Sequence, residues 1–108
     1  MASEERIKAL KEFLAKDPDD SFSRYALALE YNGMGESESA ISALKELLQR
    51  DPKYIAAYQQ LGQIYCKLNK TRDAKRYYRK GIEVAEEAND IHAKQEMEEE
   101  LEEIEDEW

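Results

Sequence analysis

The sequence predicts an all-α fold, a solenoid of antiparallel helix pairs with about six helices. Three observations carry that expectation. The chain of 108 residues superimposes on itself at a shift of 34 without gaps, and a period of this length marks stacked supersecondary units. Within each period the apolar residues fall at helical spacing. Composition agrees, because Ala, Glu, Lys, Leu and Arg dominate while there are only four glycines and two prolines, which disfavours turn-rich sheet folds.

The register is shown by pairs of residues. Leu27 meets Leu61, Tyr31 meets Tyr65, Met34 meets Leu68, Ala40 meets Ala74, Leu44 meets Tyr78, Leu48 meets Ile82, and Asp17-Pro18 meets Asp51-Pro52.

The elements follow in order. A first helix, about 4–16, carries the stripe Leu10, Phe13, Leu14 and ends at Asp17-Pro18, since proline drives its predecessor out of the helical region. The second, 21–33, has Leu27, Tyr31 and Met34 at i, i+4 and i+7, and Asn32-Gly33-Met34-Gly35 ends it through the left-handed angles glycine tolerates. The third, 37–50, is expected to be capped by the Ser37 hydroxyl; it buries Leu44, Leu47 and Leu48 and closes at Asp51-Pro52. The fourth, 54–68, repeats the stripe as Leu61, Tyr65 and Leu68 and ends at Leu68-Asn69-Lys70. The fifth, 71–88, opens at Thr71, a second expected cap, and carries Ala74, Tyr78, Gly81 and Ile82. A sixth, 90–106, rests on Asn89-Asp90 as a left-handed cap followed by an N-cap. One continuous helix from 71 onward is the alternative.

These residues resemble the tetratricopeptide repeat, whose pattern is Trp-x2-Leu-Gly-x2-Tyr, then Ala-x3-Phe, then Pro. The second repeat reads Tyr58-x2-Leu61-Gly62-x2-Tyr65, then Ala74-x3-Tyr78. The first reads Arg24-x2-Leu27-Ala28-x2-Tyr31, then Ala40-x3-Leu44, then Pro52. Arg24 departs from the aromatic position and Glu86 replaces the second closing proline. The resemblance implies a superhelix organised as one domain over 1–108: a leading half repeat at 4–18, repeats at 21–54 and 55–88, and an acidic capping helix at 90–108. Small residues, Ala28, Ala40, Gly62 and Ala74, stand where helices approach closely.

Charge is distributed unevenly. The net charge is -9, yet residues 1–89 hold 15 acidic and 15 basic side chains, and residues 90–108 hold ten acids against Lys94 alone. A neutral body with an acidic end offers nucleic acid no foothold, and no apolar run reaches membrane-spanning length. The basic stretch Lys70, Arg72, Lys75, Arg76, Arg79 and Lys80 reads as a solvated outer face or a match for the acidic end. Against the fifth helix the terminal segment offers Ala93, Met97, Leu101, Ile104 and Trp108 at helical spacing, so it is expected to cap the array. One cysteine, Cys66, excludes an internal disulfide and, with a polar N-terminus, fits the cytoplasm.

Catalysis has little to build on. His92 is the only histidine, and one Cys with one His cannot make a zinc site. No phosphate loop or nucleophile elbow is present. No catalytic, cofactor or metal residue is therefore assigned. In the family that the chain resembles, the first helices of successive repeats line a concave groove. The matching stripe is Phe22, Tyr25, Leu29 and Asn32 in the first repeat and Ala56, Gln59, Gln63, Cys66 and Lys67 in the second. Aromatics would anchor a partner's peptide and glutamines would hydrogen-bond its backbone; the competing reading has a flanking helix covering Phe22, Tyr25 and Leu29. Repeats that grip the C-terminal carboxylate of heat-shock chaperones need lysine and asparagines where this chain has Tyr25, Leu29 and Gln60, so that ligand class is not expected. The sequence thus points to a non-enzymatic scaffold for another protein, monomeric or weakly dimeric. Its rival is a self-associating module that pairs through repeat ends or the stripe Met97, Leu101, Ile104 and Trp108.

Overall fold

Local signals at the helix ends, side-chain caps at some and backbone closures at others, set the lengths of the elements. In the computed structural model, which describes residues 3–105, Ser3 accepts a hydrogen bond from the Arg6 amide at 3.2 Å and starts α1, Glu4–Lys16. The Asp17 N–H bonds back to the Phe13 carbonyl and Pro18 follows. The remaining helices are α2 (Ser21–Gly33), α3 (Ser37–Arg50), α4 (Ile55–Lys67), α5 (Thr71–Glu87) and α6 (Ile91–Glu105). No strand occurs among the described residues. The helices pack as adjacent antiparallel pairs. Trp108 lies outside the described residues, as does the expected helix end at 106.

Three turns share one construction. Gly35 (φ 78°), Asn69 (φ 61°) and Asn89 (φ 59°) adopt left-handed angles. Each turn carries a pair of backbone bonds reaching back into the preceding helix, for example Asp90 N–H to the Ala85 carbonyl and Asn89 N–H to that of Glu86. This is a Schellman closure, which satisfies carbonyls that a helix end leaves free. It also explains a difference from expectation. Ser37 and Thr71 do not cap α3 and α5; they are the first helical residues, and Glu36 and Lys70 hold the cap position without a side-chain bond. The backbone closure ends at Glu36 and Lys70, so the next helix starts one residue earlier than a cap at Ser37 or Thr71 would give. Asp90, by contrast, accepts from the Ala93 amide at 3.1 Å, and α5 and α6 are separate helices.

The chain divides into two compact units, one ending at Tyr54 and the other beginning at Ile55. In the first, α1 lies against α2 and α2 against α3. Ile7, Leu14 and Leu27 form a buried cluster with Leu10 and Tyr31 packed on it, and Ala40, Leu44 and Leu47 are fully buried on α3. Glu30 ties the start of α1 to α2, accepting from the Ser3 N–H at 3.0 Å and pairing with Arg6 at 3.5 Å.

In the second unit α4 packs on α5, and α6 packs on both. Two glycines allow this approach. A Cβ on Gly62 would lie 2.7 Å from the Tyr78 ring, and one on Gly81 would lie 2.6 Å from the Met97 sulfur and 2.7 Å from Tyr58 Cβ. Met97 is therefore fully buried and Ile104 buried, with Ala93 and Leu101 half-buried.

Replacing Met97 and Leu101 together by serine keeps the charge and removes this apolar contact. Truncating a buried methionine costs about 2–5 kcal/mol, so the unfolding free energy of the double variant, read from urea titration, is expected to fall by at least the lower value, with a lower midpoint. A midpoint equal to the parent's would show α6 to be a free acidic tail.

Candidate functional site

The nine residues of the expected binding stripe lie on α2 and α4, four in the first unit and five in the second. On α2, Phe22 is 70% exposed and Leu29 39% exposed. Among the described residues no flanking helix buries them. Tyr25 is half-buried because its ring meets that of Tyr54, centroids 5.3 Å apart and planes tilted by 43°; Asn32 is half-buried. Burial pushes the Tyr54 phenol above the ordinary tyrosine range, with Tyr25, Asp51 and Asp20 adding to it. Ser21 Oγ donates to Asp51 at 2.7 Å, which fixes the start of α2 against the end of α3.

Arg24, the departure from the family's aromatic position, has a structural use. Its Nε donates to the Pro18 carbonyl at 3.0 Å and its Nη1 lies 3.7 Å from Glu46. The guanidinium ties the α1–α2 turn to α3, a task an indole could not perform.

On α4 the arrangement differs from expectation. Gln59 Nε2 donates to Glu100 at 2.7 Å and Gln63 Nε2 donates to the same carboxylate at 3.0 Å. The Tyr78 hydroxyl donates to it at 2.8 Å. The two amides read as donors to a partner's backbone are thus engaged by α6 of their own chain. Ala56 is half-buried. Gln63, Cys66 and Lys67 line a concavity of about 390 Å³ with Tyr78, Glu100, Glu103 and Ile104. Cys66 is exposed there.

Glu100 escaped sequence reading because it is one of ten acids in its segment. One signal was available. Met97, Glu100, Leu101 and Ile104 lie at i, i+3, i+4 and i+7, which places this glutamate on the apolar side of its helix. The other acids mostly face out. Arg79 of the basic stretch does meet the acidic end, 2.6 Å from Glu105, while Arg76 sits over the Tyr77 ring at 5.0 Å. His92 is exposed and lies 3.2 Å from Glu96, one helical turn away. Among the described residues no group of three or more His, Cys, Asp or Glu is placed to hold a metal ion, and no helix is long and apolar enough to cross a membrane.

Antiparallel helix hairpins closed by left-handed turns, repeating at 34 residues around small-residue contacts, define a helical-repeat protein. The tetratricopeptide repeat family matches residues 1–85, and the chain belongs to that family, a non-catalytic fold generally used for protein–protein interaction. A tetratricopeptide repeat domain protein from Salinibacter ruber is similar at 35% identity and a TM-score of 0.80, over 84% of this chain and 92% of that one. MamA is similar at 30% identity and a TM-score of 0.76, over 81% of this chain and 53% of that one. A protein from Bordetella parapertussis shares the fold at 22% identity, with a TM-score of 0.83 over 99% of this chain and 91% of that one. No curated protein matches the chain.

The Tyr78 phenol is held above the ordinary tyrosine range, by burial first and then by its hydrogen bond to Glu100 and the charge there. A folded-state pKa above the unfolded one of about 10 means that the native protein keeps a proton the unfolded chain has lost. The stabilisation is complete below pH about 10 and is lost as pH rises beyond it. Thermal melts from pH 8 to 11 (on the order of five points) should fall steeply at the alkaline end. Tyr78→Phe should flatten that fall; an unchanged slope would show that Tyr78 does not govern it.

Proposed function

We propose that the chain is a scaffold that holds a segment of another protein against its first-helix faces, with Phe22, Tyr25, Leu29 and Asn32 as the principal contacts and Ala56, Gln59, Gln63, Cys66 and Lys67 as a secondary set. The observation that carries this reading is the α2 face. A phenylalanine 70% exposed and a leucine 39% exposed flank a tyrosine already oriented by a second ring. Exposed large apolar side chains clustered on one helix face support an interaction surface rather than a solvated one. Aromatic anchors held in place by a neighbour lose little freedom on binding. The α4 set ranks second because Gln59 and Gln63 are held by Glu100. Membership of a family of interaction modules agrees with this reading. The lone thiol, Cys66, suits a reducing compartment, and we place the protein in the cytoplasm on that ground.

The test is affinity capture with the parent chain, followed by titration of the captured partner against parent and a Tyr25→Ala, Leu29→Ala variant. Loss of two anchors is expected to weaken binding by about 2 kcal/mol or more, roughly thirty-fold, with the helical circular dichroism retained. Unchanged affinity would move the site off α2. Loss of the helical signal would show that these side chains support the fold instead.

A further inference from the structure

The break between α5 and α6 depends on Asn89. From Ile82 to Glu105 the sequence has neither glycine nor proline, and Asn89 holds φ 59°, a conformation that costs a non-glycine residue free energy. α6 is also the lightly held partner in its unit. Only Met97 and Ile104 are buried on it, whereas α4 and α5 bury Ala57, Tyr58, Leu61, Ile64, Tyr65, Ala74, Tyr78, Val84 and Ala85 between them. Its glutamates weaken it further, because Glu98–Glu102 and Glu99–Glu103 are like-charged pairs one turn apart.

If Asn89 and Asp90 take right-handed angles, α5 and α6 fuse into one helix over residues 71–105, roughly 52 Å long at 1.5 Å per residue. That opens the chain's own α4–α5 face. The segment whose chemistry fits the face is α6, with a methionine for Gly81, a carboxylate for Gln59, Gln63 and Tyr78, and a second carboxylate for Arg79. A second copy supplies the same segment, so reciprocal exchange regains every one of these contacts while removing left-handed strain at two hinges.

Ile91 supplies an independent observation. It is 64% exposed in the closed form, directly after the hinge, and lies at i+7 from the buried Val84 and i+3 from Ala88. In a continuous helix it would extend the buried stripe of α5 to the point where two exchanging chains cross. There the partner's hinge would cover it.

We infer that the chain forms a reciprocal dimer in which α6 of each copy seats on the α4–α5 face of the other, with Asn89 as the hinge. This goes beyond the α2 binding face, which lies in the other unit.

The experiment is light scattering of the full chain at several concentrations, with variants at the hinge. Each dimer contains two hinges, so an effect of about five-fold per hinge becomes about twenty-five-fold in the dimerisation constant. Asn89→Ala, which disfavours the left-handed turn, should strengthen dimerisation by that order. Asn89→Gly, which favours the turn and weakens a continuous helix, should weaken it by a similar factor. Ile91→Ser should weaken the dimer and leave the monomer's melt unchanged. To identify the exchange, Glu103→Cys places a second thiol on the concavity that Cys66 lines. Oxidation should link the two thiols within one chain in the Asn89→Gly background and between chains in the Asn89→Ala dimer. An Asn89→Ala chain that stays monomeric at about millimolar concentration, forms a dimer linked only within chains, or loses its helical signal would overturn the proposal.

Discussion

A helix hairpin buries only one side of each of its helices, and what covers the other sides decides the rest of this chain. Each unit contains one hairpin and one extra helix. In the first unit α1 closes over α2, and the Ile7, Leu14 and Leu27 cluster records that contact. In the second, α6 closes over α5 and α4 with Met97 seated at Gly81. The glycines are part of the same constraint. Where a methyl group would collide with a ring or a thioether, only hydrogen lets the covering helix come close enough to exclude water. Their lower helix propensity, about 1 kcal/mol each, is small beside the contacts that they admit.

Covering the second hairpin with a glutamate-rich helix has an electrostatic side. Among the described residues Glu100 is the acid of this segment that hydrogen-bonds Gln59, Gln63 and Tyr78. A carboxylate brought against a packed face must find donors for its lone pairs, and three converge on it within 3.0 Å. The result is a polar contact beside the buried Met97, which fixes the register of α6 on α4. An apolar stripe alone would leave α6 free to slide by a turn.

The helices were legible because they depend on local rules. Periodicity placed the described helix ends to within a residue or so, and Asn89 was marked as a left-handed turn residue by type and position. The hydroxyl caps failed because backbone closure ends the preceding helix only one residue before Ser37 and Thr71. On α2 the exposure of Phe22 and Leu29 followed from their helical face, whereas on α4 the engagement of Gln59 and Gln63 did not. Whether Gln59 and Gln63 are available depends on a glutamate 41 and 37 residues away, and no spacing rule spans that distance. Arg24 shows the reverse case. It looked like a defect in the repeat pattern, and it holds a turn to α3.

The division at Tyr54 and Ile55 has a kinetic meaning. The main helix contacts within each unit join neighbours in sequence or, for α4 and α6, next neighbours. Closing such short loops costs little chain entropy, so each hairpin can form as soon as its own residues are free, without waiting for distant ones. During synthesis the first hairpin is complete when its closing Asp51-Pro52 emerges. The second hairpin can likewise form once α5 is made, but the side of α5 that α6 covers stays bare until α6 follows. In that interval the nascent chain carries an apolar surface open to aggregation.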